Sequence, residues 1–369
     1  MKTWRYALPA GVLFASLLVV AAWATVGSVA SVAAGKQAER AARSSSRIGS
    51  ALFLAVARAG ERLVAVGERG FVQLSDDGGR SWRQAQQVPV SVTLTNVQFV
   101  SASVGWAVGH GGVVLHSRDG GEHWSRQLDG SQAAVLALEE ARAGRVAGDE
   151  AAQRAVREAE GLVADGADKP LLGLYFRDER RGWVVGAYGL ALATEDGGQR
   201  WHAVMRRVDN RGGKHLYDIR ADGEALVIVG EQGALLRSDD GGMHFAAIDS
   251  PYAGTWFGAI AGPEDTLVVF GLRGNVYRRQ GVAAWQQVDV GQPVTLTAGL
   301  RLDDGSLVLA DETGRLLRST DGGAHFAALA VAESRSLTSL AQAADGALIV
   351  AGTRGMSRIE PELIAKEAK

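Results

Sequence analysis

The sequence contains no cysteine, which excludes disulfide bonds, thiolate catalysis, cysteine zinc sites and lipid attachment to cysteine. It also lacks an excess of charge. The 39 basic and 41 acidic residues give a net charge of −2, so no global basic field favours nucleic acid. The seven histidines show neither H-x-x-x-H nor H-E-x-x-H spacing, and we expect no metal site and no cofactor. Glycine is abundant, at 48 of 369 residues, which indicates many turns and excludes a plain helical bundle.

A long apolar stretch lies at the N-terminus. Lys2 and Arg5 precede it, and no charged residue follows until Lys36. Small residues with A-x-A-like cleavage sites end the stretch, a pattern typical of a secretory signal peptide. We therefore expect residues 1–30 to be an export signal and residues 31–47 to be a linker, with the mature protein in the periplasm. An uncleaved membrane anchor is the alternative, because about 20 apolar residues can span a bilayer.

Most of the remaining chain is a repeat. The pattern [ST]-x-D-G-G-x-x-[WF], here called the Asp box, occurs five times, at 75–82, 117–124, 194–201, 238–245 and 319–326. A second pattern, an apolar run followed by glycine, marks seven units at intervals of 39–44 residues, apart from one interval of 77. A period near 40 with four short strands per unit is typical of β-propellers. We predict an all-β, seven-bladed propeller over residues 48–360, with a C-terminal tail at 361–369.

The recurring positions within each Asp box are expected to be structural. The aspartate can accept backbone N–H bonds across the turn between the third and fourth strands. The aromatic ring can pack between neighbouring units. The residues with these roles are Asp77, Trp82, Asp119, Trp124, Asp196, Trp201, Asp240, Phe245, Asp321 and Phe326.

These repeats resemble the BNR repeats shared by sialidases, some glucanases and sortilin-type receptors. The combination of G-W-x-V-G-x-x-G with T-x-D-G-G-x-x-W, best seen at 105–124 and 182–201, is similar to the photosystem II stability/assembly-factor family of propellers. That resemblance implies an exported, non-catalytic scaffold or assembly factor for a membrane protein complex. The partner that it suggests is a transporter of the resistance-nodulation-division type. We expect a monomer that has no nucleic-acid partner.

The interval of 77 residues contains an insertion at 129–170. Its high content of Ala, Glu and Arg predicts two helices, at 131–143 and 149–163, with Ser131 and Asp149 as N-caps. Nine acidic and five basic side chains give the insertion a net charge of −4. Two interpretations remain open. The insertion is either a solvated helical flap with one weakly packed side or a hairpin that docks a partner.

Blade topology predicts where a binding surface would lie. The turns between second and third strands share one face with the blade connections, and the Asp boxes lie on the opposite face. We expect the insertion to rise beside the central funnel on the first of these faces. Side chains there are either recognition residues or ordinary solvated turn residues. The candidates are Glu68, Arg69, His110, Tyr188, Glu231, Gln232, Arg273, Asp311, Glu312, Arg354, Tyr252 and Trp256.

A carbohydrate-active enzyme or lectin that uses the funnel is the alternative function. A glycosidase needs two carboxyl groups that flank the scissile bond. Glu68, Glu231 and Asp311 are the only funnel acids that could supply such a pair. Aromatic residues make up only 7% of the chain, which is low for sugar-binding platforms. We therefore expect no catalytic residues.

The seventh unit shows three strands, no Asp box and no fourth strand. An open ring would leave sheet edges unpaired, which propellers avoid. We expect a strand within residues 42–49 to complete this blade. Residues 363–369 are the weaker candidate.

Overall fold

The structure is a computed structural model that describes residues 39–45, 48–145, 148–333 and 335–365. The predicted export signal lies outside these residues. Within them, seven antiparallel sheets follow one another along the chain, six with four strands and one with three. The prediction of an all-β, seven-bladed propeller with one helical insertion is therefore confirmed. No helix in the described part of the chain is both long enough and apolar enough to cross a membrane.

The first four sheets are formed by consecutive strands. Blade 1 contains β1 (Phe53–Ala59), β2 (Arg62–Gly67), β3 (Val72–Ser75) and β4 (Arg83–Gln84). Blade 2 contains β5 (Leu94–Phe99), β6 (Gly105–Gly109), β7 (Val114–Ser117) and β8 (Ser125–Leu128). Blade 3 contains β9 (Leu171–Phe176), β10 (Gly182–Gly186), β11 (Ala191–Thr194) and β12 (His202–Ala203). Blade 4 contains β13 (Leu216–Asp222), β14 (Ala225–Gly230), β15 (Leu235–Ser238) and β16 (Ala246–Ala247).

The last three sheets follow the same order. Blade 5 contains β17 (Trp256–Ala261), β18 (Thr266–Gly271), β19 (Val276–Gln280) and β20 (Gln286–Gln287). Blade 6 contains β21 (Leu296–Arg301), β22 (Leu307–Asp311), β23 (Arg315–Ser319) and β24 (Ala327–Ala332). Blade 7 contains β25 (Leu337–Gln342), β26 (Leu348–Gly352) and β27 (Gly355–Ile359).

The second strand of a blade is an apolar run that is buried on both faces. All five residues of β6, GWAVG, are buried, as are all six residues of β14, ALVIVG. Such a strand lies between the sheets of neighbouring blades, so both of its faces need apolar side chains. Trp106 of β6 stacks on Phe176 of blade 3, with the ring centroids 3.7 Å apart. The core is therefore a ring of apolar clusters between adjacent blades.

The turns between second and third strands share one backbone geometry in several blades. The middle residue has a positive φ at Arg69 (56°), Gly111 (68°), Tyr188 (56°), Gln232 (51°) and Arg273 (58°). Glycine adopts this conformation freely, whereas other residues do so at a cost. The four non-glycine residues are all exposed, so this face displays their side chains to solvent.

The insertion forms two helices, α1 (Gly130–Ala143) and α2 (Glu150–Asp165). Asp149 caps α2 as expected, but Asp129 rather than Ser131 caps α1. Asp129 accepts a hydrogen bond from the N–H of Gln132, whose side chain accepts one from the N–H of Asp129, at 3.1 and 3.0 Å. This reciprocal pair satisfies two backbone donors, whereas a serine cap would satisfy one.

The insertion is packed firmly against the propeller. Ala133 and Ala137 of α1 are 0% and 2% exposed, and Leu162 of α2 joins them in the apolar cluster of blades 2 and 3. The interpretation of the insertion as a solvated flap with one weakly packed side is therefore wrong for α1, because small alanines allow this helix to approach the blades closely. Val135 and Val163 are 47% and 41% exposed and take no part in this packing.

The position of the insertion also differs from the prediction. Helix α1 begins beside the turn after β6 and continues across β12, the outer strand of blade 3. The main-chain N–H of Arg206, which follows β12, donates to Glu140 Oε1 at 3.2 Å. The insertion therefore begins on the predicted face, beside a turn between second and third strands, but the expectation that it rises beside the central funnel is wrong. Strand β8 ends at the outer edge of its sheet, and α1 continues from there over the neighbouring outer strand.

Ring closure does not follow the predicted scheme in the described residues. The sheet of blade 7 has three strands. Residues Ile48–Ser50 contact its last strand, β27, as a short 3-10 helix and add no strand to the sheet. Ala42 donates its N–H to the carbonyl oxygen of Val88 at 3.0 Å, between blades 1 and 2. The C-terminal segment begins with a short helix, α3 (Pro361–Ile364), whose Ile364 is buried between blades 6 and 7.

Apolar packing between the first and last blades closes the ring instead. Ile48 and Phe53 share one buried cluster with Ile349 and Ala351 of β26. Side-chain hydrogen bonds add to this contact. Thr338 Oγ1 donates to the carbonyl oxygen of Phe53 at 2.6 Å. The inner strand of blade 1 thus packs against the inner strand of blade 7 as it does against that of blade 2. No sheet combines strands from the two ends of the described chain.

Candidate functional site

The Asp boxes form tight turns that are held by their own side chains. In the fourth box, Asp240 Oδ1 accepts hydrogen bonds from Ser238 Oγ at 2.8 Å and from the N–H of His244 at 2.9 Å. The N–H of His244 is the main reason that the pKa of Asp240 lies well below its usual range. Ser238 Oγ in turn accepts the N–H of Gly242 at 2.8 Å. The carboxylate therefore acts as an acceptor for the turn, as in an Asx turn.

The aromatic residue of the box completes the turn in the first two blades. The indole N–H of Trp124 donates to the carbonyl oxygen of Gly121 at 2.8 Å, and the ring is 2% exposed. The rings of Trp201 and Phe245 are likewise buried, at 5% and 2% exposed. The aromatic rings of these boxes are therefore packed inside the propeller and are not displayed to solvent.

Three Asp boxes carry a histidine that pairs with the aspartate. His123, His244 and His325 place Nδ1 at 2.7, 2.9 and 2.7 Å from the second carboxylate oxygen of their boxes. The three pairs belong to blades 2, 4 and 6. Within the described ranges, no group of three histidine or carboxylate side chains could hold a metal ion.

The glutamates among the twelve predicted recognition residues hold the backbone of their own blades. Glu68, Glu231 and Glu312 follow the second strands of blades 1, 4 and 6. Each accepts the N–H of a residue that precedes or begins the inner strand, namely Leu52 at 3.3 Å, His215 at 2.8 Å and Thr295 at 3.3 Å. This recurring bond ties the turn to the start of the inner strand.

Two other members of that set are buried. Asp311 is 0% exposed and accepts hydrogen bonds from Thr313 Oγ1 and Arg315 Nε, at 2.7 and 2.8 Å. Burial alone would raise the pKa of Asp311, but these hydrogen bonds outweigh it and lower the pKa. Trp256 is also 0% exposed, and its indole N–H donates to Ser250 Oγ at 3.0 Å. Neither interpretation of the set, recognition residues or solvated turn residues, therefore fits these two buried side chains.

The acids expected for a glycosidase do not form a pair. Glu68, Glu231 and Asp311 belong to three different blades, and each is used by hydrogen bonds within its own blade. The arrangement thus offers neither a general acid nor a nucleophile facing a common substrate.

Tyr188 is a member of the set that contacts the insertion. Its ring is 48% exposed, and Lys169 Nζ lies 4.7 Å from the ring centroid. The ring of His215 approaches it edge-on at 4.9 Å, and His215 Nδ1 accepts the N–H of Tyr188 at 3.0 Å. Because Lys169 is also paired with Asp165 and Asp168, the end of α2 is joined to this exposed ring.

The central channel is lined by a different set of residues. It encloses about 580 Å³ and is bordered by the inner strands of all seven blades, and none of the twelve predicted residues lines it. Its polar side chains were missed because they lie inside strands rather than in turns. The polar residues of its lining include Thr95, Asn96, Gln98, Tyr175, Tyr217, Asp218, Arg220, Arg301, Asp303, Thr338 and Ser339.

Asp218 is the most buried charge in the channel. It is 6% exposed, and burial raises the pKa of its carboxyl group, although Arg220 Nε donates to Oδ2 at 2.9 Å. Burial also raises the pKa of neighbouring Tyr217 to about 12, so its hydroxyl stays protonated. The other aspartate of the lining, Asp303, is exposed and paired with Arg58 at 3.2 Å. The channel therefore offers hydrogen-bonding groups without a matched pair of carboxyl groups.

Comparison with known proteins identifies the family. The family model described as photosynthesis system II assembly factor YCF48 matches residues 54–159 and 161–286. The chain belongs to this family. The resemblance inferred from the Asp boxes is thus confirmed.

Individual relatives agree with this assignment. The photosystem II assembly lipoprotein Ycf48 of Synechococcus sp. (strain CC9902) is 26% identical over 292 residues, which cover 69% of this chain and 80% of the relative. The solved structure described as YCF48 bound to D1 peptide has a TM-score of 0.61 at 17% identity, covering 84% of this chain and 92% of that one. YCF48 from Cyanidioschyzon merolae has a TM-score of 0.59 at 16% identity, covering 85% and 97%.

An enzyme shares the same fold. The GH74 xyloglucanase from Xanthomonas campestris has a TM-score of 0.59 at 14% identity, covering 85% of this chain and 52% of the enzyme. A likeness at this level shows a common propeller architecture and carries no activity with it.

Proposed function

We propose that the protein is an exported, non-catalytic and monomeric propeller that binds a membrane protein complex as an assembly or accessory factor. Membership of the family supports this proposal, as does a solved YCF48 that is described with a bound D1 peptide. The observation that carries it is the helical hairpin α1–α2, which is fixed to the propeller and yet leaves apolar and acidic side chains in solvent.

The hairpin is pre-organised for binding. Its inner side is anchored by the buried alanines of α1 and by the bond from the N–H of Arg206 to Glu140. Burial raises the pKa of Glu140, and the nearby arginine groups partly offset that effect. A surface that is already ordered loses little conformational entropy on association. The hairpin can therefore present a defined surface to a partner.

The outer side of the hairpin indicates the chemistry of the partner. Val135 and Val163 are among the few large apolar residues with more than a third of their surface exposed in the described chain. The insertion has a net charge of −4. A partner segment that combines apolar and basic side chains would complement this surface. As the first specific partner to test, we propose a transporter of the resistance-nodulation-division type, on the basis of family resemblance.

Export is proposed to depend on residues 1–30. The relative from Synechococcus is named a lipoprotein, but this chain has no cysteine to which a lipid could be attached. The apolar N-terminal run would therefore direct export, either as a cleaved signal or as an anchor.

Site-specific photocrosslinking in cells tests the proposed function. A photoreactive amino acid at position Val135 or Val163 should form an adduct with an integral membrane protein. The same amino acid at Val282, which is fully exposed on blade 5, is the matched control and should give none. Adducts of equal yield from all three positions, or only with soluble proteins, would overturn the proposal. Specific binding on a sugar array would favour the carbohydrate-active alternative.

A further inference from the structure

A cleft with basic side chains and no acidic ones lies between the N-terminal segment and blade 1. It encloses about 500 Å³, and its charged lining consists of Arg40, Arg43 and Arg69. Serine residues supply much of the remaining lining, and no carboxylate contributes to it. Guanidinium groups combined with hydroxyl groups suit the recognition of phosphate oxygens.

Hydrogen bonds to its main-chain atoms hold the N-terminal segment against the propeller. The N–H of Ala42 donates to the carbonyl oxygen of Val88 at 3.0 Å, and Gln84 Nε2 donates to the carbonyl oxygen of Arg43 at 3.1 Å. The side chain of Ala42 packs on the apolar cluster between blades 1 and 2. This attachment brings Arg40 and Arg43 to the same cleft as Arg69, although Arg43 and Arg69 are 26 positions apart in the sequence.

The positive charge of the cleft is not neutralised by ion pairs in the described chain. The salt bridges of the described residues include none to Arg40, Arg43 or Arg69. Glu68, which precedes Arg69, uses Oε1 to accept the N–H of Leu52. Glu39, which precedes Arg40, is exposed and does not line the cleft. All three arginines are exposed, so an anion can reach them from solvent.

The cleft lies close in sequence to the apolar N-terminal run. That run ends at Gly35, and five residues lead from there to Arg40. A fully extended chain of five residues spans at most about 18 Å. If the run stays in a bilayer, Arg40 therefore lies within reach of the lipid headgroups.

We propose that this basic cleft binds the phosphate of an anionic phospholipid headgroup and so orients the propeller on the membrane surface. The proposal rests on the membrane location given under the proposed function, but it concerns the lipid rather than the protein partner. Anionic lipids attract basic residues that lie near the membrane surface. Replacing such a basic residue with an acidic one removes this attraction.

Because the chain has no native cysteine, a single introduced cysteine can be labelled specifically. A Gln87→Cys substitution places a single fluorescent label next to Val88, which holds the N-terminal segment, and outside the lining of the cleft. Val282→Cys places one on blade 5 as a control. The full chain is reconstituted in nanodiscs of phosphatidylglycerol or of phosphatidylcholine, each containing lipid with a quencher on its headgroup. Quenching of the label at position 87 should be stronger in phosphatidylglycerol by about fivefold. The label on blade 5 should show no such dependence.

Two charge reversals provide matched variants. Arg69→Glu should abolish the extra quenching in phosphatidylglycerol. Arg273→Glu changes the equivalent turn position of blade 5, where φ is 58°, and should leave the quenching unchanged. Equal quenching in both lipids, or equal loss in both variants, would overturn the proposal.

A third arm separates lipid from soluble phosphate. The labelled chain in detergent is titrated with inorganic phosphate, and no saturable change is expected below about 1 mM. Saturation that Arg69→Glu abolishes would assign the cleft to a soluble anion and overturn the lipid source. Photocrosslinking from the hairpin does not depend on this cleft, so the two proposals can fail separately.

Discussion

Arg358 of the last blade donates a hydrogen bond from Nη1 to the main-chain carbonyl oxygen of Gly78 in the first blade. The same guanidinium group pairs with Asp345 at 2.9 Å and with Glu360 at 2.7 Å. Arg80 approaches the same Asp345 from blade 1 at 3.2 Å. These contacts join parts of the chain that are 280 residues apart. Ring closure therefore combines apolar packing with an ion-pair network at its edge.

Removing this guanidinium group should weaken ring closure. Arg358→Ala deletes the bond to Gly78 and leaves Asp345 without its main partner. Because the carboxylates are half-exposed, we expect a loss of about 1 kcal/mol in the free energy of unfolding. Urea denaturation measures it. Arg118→Ala removes an exposed arginine on blade 2 and serves as the control. Equal stability of the two variants would show that the network does not help to close the ring.

The same network makes stability depend on acid pH. Hydrogen bonds from Arg358 lower the pKa of Asp345 from 3.8 to about 2. A lowered pKa means that the folded state binds fewer protons, so the carboxylate stabilises the fold above pH 3.8 and ceases to do so as the pH falls toward 2. Asp345→Asn should therefore lower Tm at neutral pH. The difference from the parent chain should shrink near pH 2, and a constant difference would contradict this account.

Loss of an Asp-box carboxylate should destabilise its turn without affecting a partner. Asp196 Oδ1 accepts hydrogen bonds from Thr194 Oγ1 at 3.0 Å and from the N–H of Arg200 at 2.9 Å. Asp196→Ala should cost about 1 kcal/mol in the free energy of unfolding, since two acceptor contacts of a partly exposed turn are lost. Glu195→Ala alters the exposed neighbour and should be neutral. A folded, equally stable Asp196→Ala chain that no longer binds would make the box a functional site.

The docking of α1 can be tested by overpacking its contact. Ala137 is 2% exposed against the blades, so Ala137→Leu should cost about 1–3 kcal/mol in the free energy of unfolding. Val135→Leu places the same side chain at an exposed position of the same helix and should have little effect. Thermal melts of the two variants give the Tm values to be compared. Identical Tm values would mean that α1 is not held against blades 2 and 3.

The strand pattern and the Asp boxes could be predicted because their causes are local. A serine, an aspartate and two glycines make the turn within eight residues, and the apolar second strands are required by burial on both faces. The first helix cap was missed for an equally local reason. Asp129 and Gln132 give the D-x-x-Q pattern of a capping box, whereas Ser131 is only a favoured residue type.

Closure and site geometry could not be predicted because they depend on contacts between distant residues. Phe53 meets Ile349 only when the ring is complete, and nothing near either residue reports this. Trp256 was placed on a connection by its sequence position, but its ring is enclosed by Tyr252 and Tyr277. Asp218 lies within a strand, where no turn pattern marks it as a channel residue.

The outer side of the hairpin is proposed to bind a membrane protein. The most direct measurement is the affinity of the full chain for the membrane partner identified by crosslinking, compared between two variants. Val135→Lys with Val163→Lys should weaken binding at least tenfold, about 1.4 kcal/mol, while Tm stays unchanged. Val282→Lys changes a fully exposed valine on blade 5 and should leave affinity intact. Equal affinity of the two variants would contradict the claim and move the binding surface away from the hairpin.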